Sequence, residues 1–199
     1  ERVIEVCPPS RQGEAGPEGY RIADLSRLLR EVLGFADDSF DVGEAIPEEL
    51  SLYVPEGRQT IRPTLALKKL SGAPTSEASD ATPASKAGAR YELLVWDVGS
   101  VPGGVGLDLD KSETITGTWD YPPDAKFDRL LRHCRVPIGL LTNRDVVRLV
   151  YAPHGESSGS ITFRLNEMAS VGGRPILDAF VMLLAANRFF GVTEDRTLP

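Results

Sequence analysis

The sequence is poor in the residues that usually announce chemistry. It has two cysteines and two histidines in 199 residues. Cys7 and Cys134 form no C-x-x-C pair, which excludes a disulfide framework and points to a reducing, cytoplasmic setting. His133 and His154 have no Cys or carboxylate at metal-ligand spacing and read as surface or cap histidines, not as ligands or a general base. No apolar run reaches the ~18–20 residues of a membrane-spanning helix, so no membrane partner is expected. Positive charge is also missing. The net charge is −7, and residues 1–60 hold 6 Lys/Arg against 13 Asp/Glu while the remainder holds 16 against 16. Phosphate neutralisation supplies much of the affinity for nucleic acid, so this balance argues against autonomous DNA binding.

Several familiar motifs fail in detail. Ser157-Ser158 in GESSGS breaks the G-x-S-x-G pattern of a nucleophile elbow. Gly103-Gly104-Val105-Gly106 opens no helix and lacks the Lys-Ser/Thr of a P-loop, so a phosphate cradle gives way to a flexible loop. Asp108, Asp110 and Lys111 read as a solvated acidic loop before a cation site. Asp120-Tyr121-Pro122-Pro123 only scrambles the Asn/Asp-Pro-Pro-Tyr/Phe motif of an adenine methyltransferase.

What is present is an organising stretch, Pro122–Pro153. Phe127, Leu130, Leu131 and Cys134 fall at i, i+3, i+4 and i+7, one apolar stripe of a helix that Asp124 starts and Val136-Pro137 ends. Ile138–Leu141 then suits a buried strand, Asn143-Arg144-Asp145 a tight turn, and Val146–Tyr151 a return strand. Asn143, Arg144, Arg148 and Arg164 are the candidate contacts to phosphate or an acidic partner.

Around this unit the spacing predicts a helix over Ile22–Phe35, stopped by Gly34, and strands at Leu52–Val54, Gln59–Leu70, Arg90–Val98 and Ser160–Leu165. A short strand is expected near Thr114–Thr118, and Glu1–Val6 as a strand or extended arm. Arg174–Phe190 reads as the longest helix, largely buried, with Pro175 at its first turn and Gly191 past its end. Ser71–Ala89 has almost no large apolar residue and reads as a flexible hairpin insertion. The fold class expected is α/β (α+β), a central mixed sheet flanked by helices. The organisation expected is an N-terminal arm over 1–21, one domain over 22–191 with the insertion 71–89, and a linker over 192–199 to further domains of a larger chain.

The run FDRLLRHCRVPIGLLTNRDVVRLVYAPHGESSGSITF (127–163), with LLREVLGF (28–35), IPEELSLYVPEGRQTIRPTLAL (46–67) and GRPILDAFVMLLAANRFFG (173–191), resembles the N-terminal region of large adenine-specific DNA methyltransferases. These are the type IIG-like enzymes of restriction-modification and phage-defence systems, including DISARM-type clusters. Arg144 departs from that family's turn glycine. The order strand, strand, helix, strand, strand also resembles a PD-(D/E)xK nuclease core, the restriction-endonuclease-like arrangement in which two carboxylates hold Mg²⁺ and a lysine positions water. Against that pattern Thr64 stands where an aspartate belongs, Asp97 stands in the acidic place and Gly99 replaces the lysine.

The resemblance implies a non-catalytic domain that contacts DNA or docks onto the downstream methyltransferase domains of the same chain or onto other defence proteins. It implies no cofactor in this segment and S-adenosylmethionine in the parent. Two alternatives stand beside it. One is an active Mg²⁺-dependent nuclease using Asp97 with Glu92, Asp108 or Asp110 and Lys68, Lys69 or Lys111. The other is a protein-interaction scaffold.

Overall fold

The computed structural model describes residues 5–10, 19–69 and 82–190. Its centre is β5 (Tyr91–Asp97), where branched and aromatic side chains alternate between two apolar layers. Leu94 and Trp96 enter one core; Leu93 and Val95 enter the other. A strand buried on both faces reads as an unbroken apolar run, which is how this segment reads in the sequence.

Six strands form the main sheet in the order β1-β4-β5-β6-β7-β8. They are β1 (Phe40–Val42), β4 (Leu65–Lys68), β5, β6 (Ile138–Thr142), β7 (Val146–Tyr151) and β8 (Gly159–Arg164). All neighbours are antiparallel except β5 and β6, which run parallel with Asp97 beside Thr142. A parallel pair needs a crossover, supplied here by the helix Pro123–Cys134. A separate hairpin, β2 (Leu52–Val54) with β3 (Gln59–Ile61), packs beside the sheet. The chain is a mixed α/β fold.

Helix α1 begins at Leu25–Arg27, where the Asp24 carboxylate accepts from the Arg27 N–H, and widens into a π-helix over Leu28–Val32. It starts later than the spacing predicts, because Asp24 caps it, and stops at Gly34 (φ +78°) as expected. Helix α3 (Pro123–Cys134) follows α2 (Pro83–Gly88) and carries its predicted stripe into the core, with Phe127, Leu130, Leu131 and Cys134 all fully buried. Gly139 lets it sit close on β6: a Cβ there would lie 2.5 Å from the Phe127 ring. Helices α4 (Leu165–Ala169), α5 (Arg174–Leu184) and α6 (Ala186–Phe189) cover the opposite face with α1.

Five expectations are corrected. Pro63 splits Gln59–Leu70 into β3 and β4, which belong to different sheets. The part of the insertion beyond residue 81 is helix α2, N-capped by the Thr82 hydroxyl, with Ala84 and Ala87 buried; its small side chains serve close packing. The rest of that insertion lies outside the described residues, as does the predicted linker 192–199. Thr114–Thr118 is not a strand but an irregular loop, closed by a single bridge between Glu113 and Tyr121. The C-terminal helix breaks at Ala185 into α5 and α6, so α3 is longer, and only Phe180 and Leu184 of α5 are fully buried. Glu5 and Val6 lie in a helical turn instead of a strand, and residues 1–4 of that predicted strand lie outside the described residues. Val6 and Cys7 belong to the same core as Ile22 and Leu25. Among the described residues no helix is long and apolar enough to cross a membrane.

Candidate functional site

Asp97 ends β5 and is 3% exposed. Its backbone N–H donates to the Thr64 hydroxyl at 3.0 Å, so the two positions singled out in the sequence are neighbours. The Arg144 guanidinium claims one carboxylate oxygen: Nε and Nη2 donate to Oδ2 at 3.1 and 3.0 Å. Oδ1 is buried without a hydrogen-bond partner. Gly99 completes the arrangement, for a Cβ there would lie 2.6 Å from Arg144 Cγ. A glycine at 99 and an arginine at 144 are two halves of one packing solution, in which the arginine stem lies over the glycine.

The turn that carries Arg144 is built by its neighbours. Asn143 Oδ1 accepts from the N–H groups of Asp145 and Val146, both at 2.9 Å, and Nδ2 donates to the Leu107 carbonyl at 2.7 Å. The Thr142 hydroxyl donates to the Val146 carbonyl and accepts from the Arg144 N–H. Arg144 itself adopts φ +74°, the left-handed conformation that favours glycine, and its carbonyl accepts from Ile22 N–H. Arginine thus occupies a backbone position whose left-handed conformation favours glycine.

Arg148, on β7, points into a different site. Its Nη1 and Nη2 grip Asp110 at 2.6 and 2.8 Å, Nη1 also reaches Asp124 at 3.0 Å, and Nε donates to the Thr162 hydroxyl at 2.8 Å. The bond from Asp110 raises the Arg148 pKa further above its ordinary value, against burial, with Asp124 adding to it. In return the Arg148 guanidinium holds the Asp110 carboxyl below the usual carboxylate range. Asp108, bonded by Lys111 and by the Asp110 N–H, is also lowered. Asp108, Asp110, Arg148 and Thr162 line a cleft of about 360 Å³ with Asp145, Arg164 and Glu167. Arg164 is well exposed, and its ion pair with Glu167 spans 3.7 Å.

The four candidate contacts thus separate. Asn143 is buried and builds the turn, Arg144 pairs with Asp97, Arg148 is buried among carboxylates, and Arg164 alone stands exposed.

The residues around Asp97 fit a divalent cation poorly, because the Arg144 guanidinium takes Oδ2 and already supplies the counter-charge, leaving only the buried Oδ1. Glu92 is five residues back along β5, about 16 Å at ~3.3 Å per residue. Asp108 and Asp110 are paired with Lys111 and Arg148. Lys68 pairs with Asp41 and lies across from Tyr91, at the far end of β5 from Asp97. Among the described residues no three His, Cys, Asp or Glu side chains gather as a metal-binding group. Burial pushes both thiols, Cys7 and Cys134, up to about 12, away from nucleophilic thiolate. Burial, with Arg129 nearby, lowers the His133 pKa.

One buried pair escaped the sequence reading. Lys126, fully buried on α3, donates to Glu113 Oε1 at 2.5 Å and to the Thr116 hydroxyl at 3.1 Å. Glu113 also accepts from the Thr116 N–H at 2.8 Å. Burial pushes Glu113 up, but Lys126 and Thr116 outweigh it and hold the carboxyl below its ordinary value. Lys126 lies outside the apolar stripe Phe127, Leu130, Leu131 and Cys134, and nothing local in the sequence marks Glu113 as its partner.

Comparison with protein-family models, curated proteins and solved structures gives no match to this chain.

Proposed function

We propose that this chain is a non-catalytic docking domain of a cytoplasmic adenine-specific DNA methyltransferase of the restriction-modification or phage-defence type. The observation that carries the non-catalytic reading is the Asp97–Arg144 pair. A nuclease of the resembling class needs its carboxylates free for Mg²⁺, and here the one carboxylate in the right place is neutralised by an arginine at 3.0 Å. The order of two antiparallel strands, a crossover helix and a parallel strand supports the kinship with the nuclease-like core. The parent would supply S-adenosylmethionine and the methyl transfer.

Docking is favoured over independent DNA binding by how the guanidiniums are spent. Arg21, Arg27, Arg30, Arg132, Arg144 and Arg148 each hold a carboxylate within the domain. The net charge of −7 offers duplex DNA no basic face by composition. Of the four candidate contacts only Arg164 stands exposed to meet DNA, and it would do so as part of the larger assembly.

Two assays test this. Plasmid DNA incubated with the purified chain and Mg²⁺ or Mn²⁺ is expected to stay supercoiled, and fluorescence anisotropy with duplex DNA is expected to show no salt-sensitive binding. Metal-dependent cleavage abolished by Asp97→Ala would replace the docking reading with the nuclease one. That rival has one observation in its favour, the unpartnered Oδ1 of Asp97.

A further inference from the structure

Strand β8 ends the sheet, and among the described residues nothing pairs with its outer side. Its hydrogen-bonding polarity follows from the register. Leu165 N–H donates to the Asp145 carbonyl, and the antiparallel ladder then pairs Phe163 with Val147, Ile161 with Leu149 and Gly159 with Tyr151. Hydrogen-bonded and non-bonded pairs alternate in such a ladder. The N–H and C=O groups of Ser160, Thr162 and Arg164 therefore point away from β7, towards the open edge.

Proteins protect such edges with charge, proline or bulges. From Gly159 to Phe163 this edge has none: the segment GSITF carries no charge or proline, and Gly159–Arg164 pairs with β7 in unbroken register. Ile161 stands 50% exposed at its centre. Charges of opposite sign flank it, Glu156 before the strand and Arg164 at its end, both exposed.

We propose that β8 is a homodimer interface, in which two copies of this chain pair their β8 strands antiparallel across a twofold axis and join two six-stranded sheets into one. The register that sets Ile161 against Ile161 of the second copy brings Thr162 opposite Ser160 and Arg164 opposite Ser158. The outward groups of Ser160 and Thr162 then meet those of Thr162 and Ser160 in the second copy. The two isoleucines form a non-hydrogen-bonded pair, the closer kind, on the axis. The antiparallel twofold also brings Glu156, in the bend before β8, to the end of the second copy's strand that carries Arg164, and repeats this approach of opposite charges at the other end. An isologous contact of this kind needs one self-complementary strip, and the strip Glu156–Arg164 carries its own opposite charge. Because Thr162 and Arg164 also line the cleft around Arg148, the two clefts open on the same face of the joined sheet.

The test is sedimentation velocity of the 199-residue chain across the micromolar range, with a cross-linking readout. A concentration-dependent dimer is expected. Ile161→Lys, which brings two ammonium groups onto the axis, should raise the dissociation constant about tenfold or more. Arg164→Glu should weaken the dimer and Glu156→Arg added to it should restore it, a rescue that only this charge register predicts. Ile161→Cys should oxidise to a covalent dimer, whereas Ser160→Cys, on the opposite face and opposite Thr162, should not; the buried native thiols stay out of the reaction. A chain that sediments as a monomer throughout, with no cross-link through Ile161→Cys, overturns the proposal. So does a dimer indifferent to Ile161→Lys. Amide protection of Ser160, Thr162 and Arg164 in a monomer would also overturn it, by showing the edge covered by another part of the same chain.

Discussion

Among single residues, the contrast between Arg144 and Lys126 is instructive. Both are cations held by one carboxylate, but Lys126 is sealed from water with Glu113 while Arg144 keeps 29% of its side chain exposed. Removing one member of a sealed pair leaves the other charge buried alone, at a cost of ~3–5 kcal/mol; replacing both by neutral groups costs far less. Lys126→Met is therefore expected to lower the urea midpoint strongly, and Lys126→Met with Glu113→Gln to recover much of the loss. Arg144→Ala should cost roughly 1–3 kcal/mol, since it strips a charged hydrogen bond from Asp97. Arg144→Gly should cost about 1 kcal/mol less than the alanine variant, because glycine relieves the left-handed backbone at φ +74°. Equal melting temperatures for those two variants would show that the turn does not strain its arginine. Acid should lower the domain's stability along two limbs. His133 is lowered from 6.5 in the fold, so below about pH 6.5 the unfolded chain takes up a proton first and stability begins to fall. Glu113 and Asp110 are lowered from ordinary carboxylate values, so their contribution is complete above about pH 4.5 and disappears as pH drops through their folded values. A pH series of thermal melts should show both limbs, and Glu113→Gln should flatten the lower one.

Between elements, legibility tracked locality. The stripe of α3, the run of β5 and the hairpin β6–β7 are periodic over a few residues, and the folded chain uses them as the spacing indicates. Pro63 was visible too, but whether it would interrupt a strand or begin one depended on β2 and β1, which compete for the flanking residues as partners. Helix α2 was hidden because alanine-, serine- and glycine-rich sequence has the composition of a flexible segment until α3 packs against it. At the site, Asp97 beside Thr64 was legible from strand order. The Arg144 and Arg148 pairings were not, because their partners lie 47 and 38 residues away in the sequence. Arg148 also ties β7 to the first turn of α3 through Asp124 and to the loop at Asp110. Arg148→Met should thus speed amide exchange in residues 107–125 while leaving the β6–β7 ladder protected. Uniform acceleration across the domain would contradict that division.

Taken whole, the described residues form a sheet with two faces insulated by separate apolar layers and with unpaired outer edges at β1 and β8. The chain's net charge of −7 gives it no overall excess of positive charge to meet a polyanion. If the docking reading holds, titrating salt should leave partner binding nearly unchanged, while an attachment through phosphates would weaken steeply.

The parallel alignment of β5 and β6 also has a kinetic side. About 40 residues separate Asp97 from Ile138, whereas α3, β6 and β7 are consecutive. Contacts close in sequence form before those that must close a long loop, so the unit 123–151 should be structured in the folding transition state and β5 should join it late. Val147→Ala would then slow refolding, whereas Val95→Ala would chiefly hasten unfolding, a split that stopped-flow chevrons resolve. The strand buried deepest in the finished protein would be the one that waits for the others, and until it arrives the chain would expose apolar surface on both sides of the forming sheet.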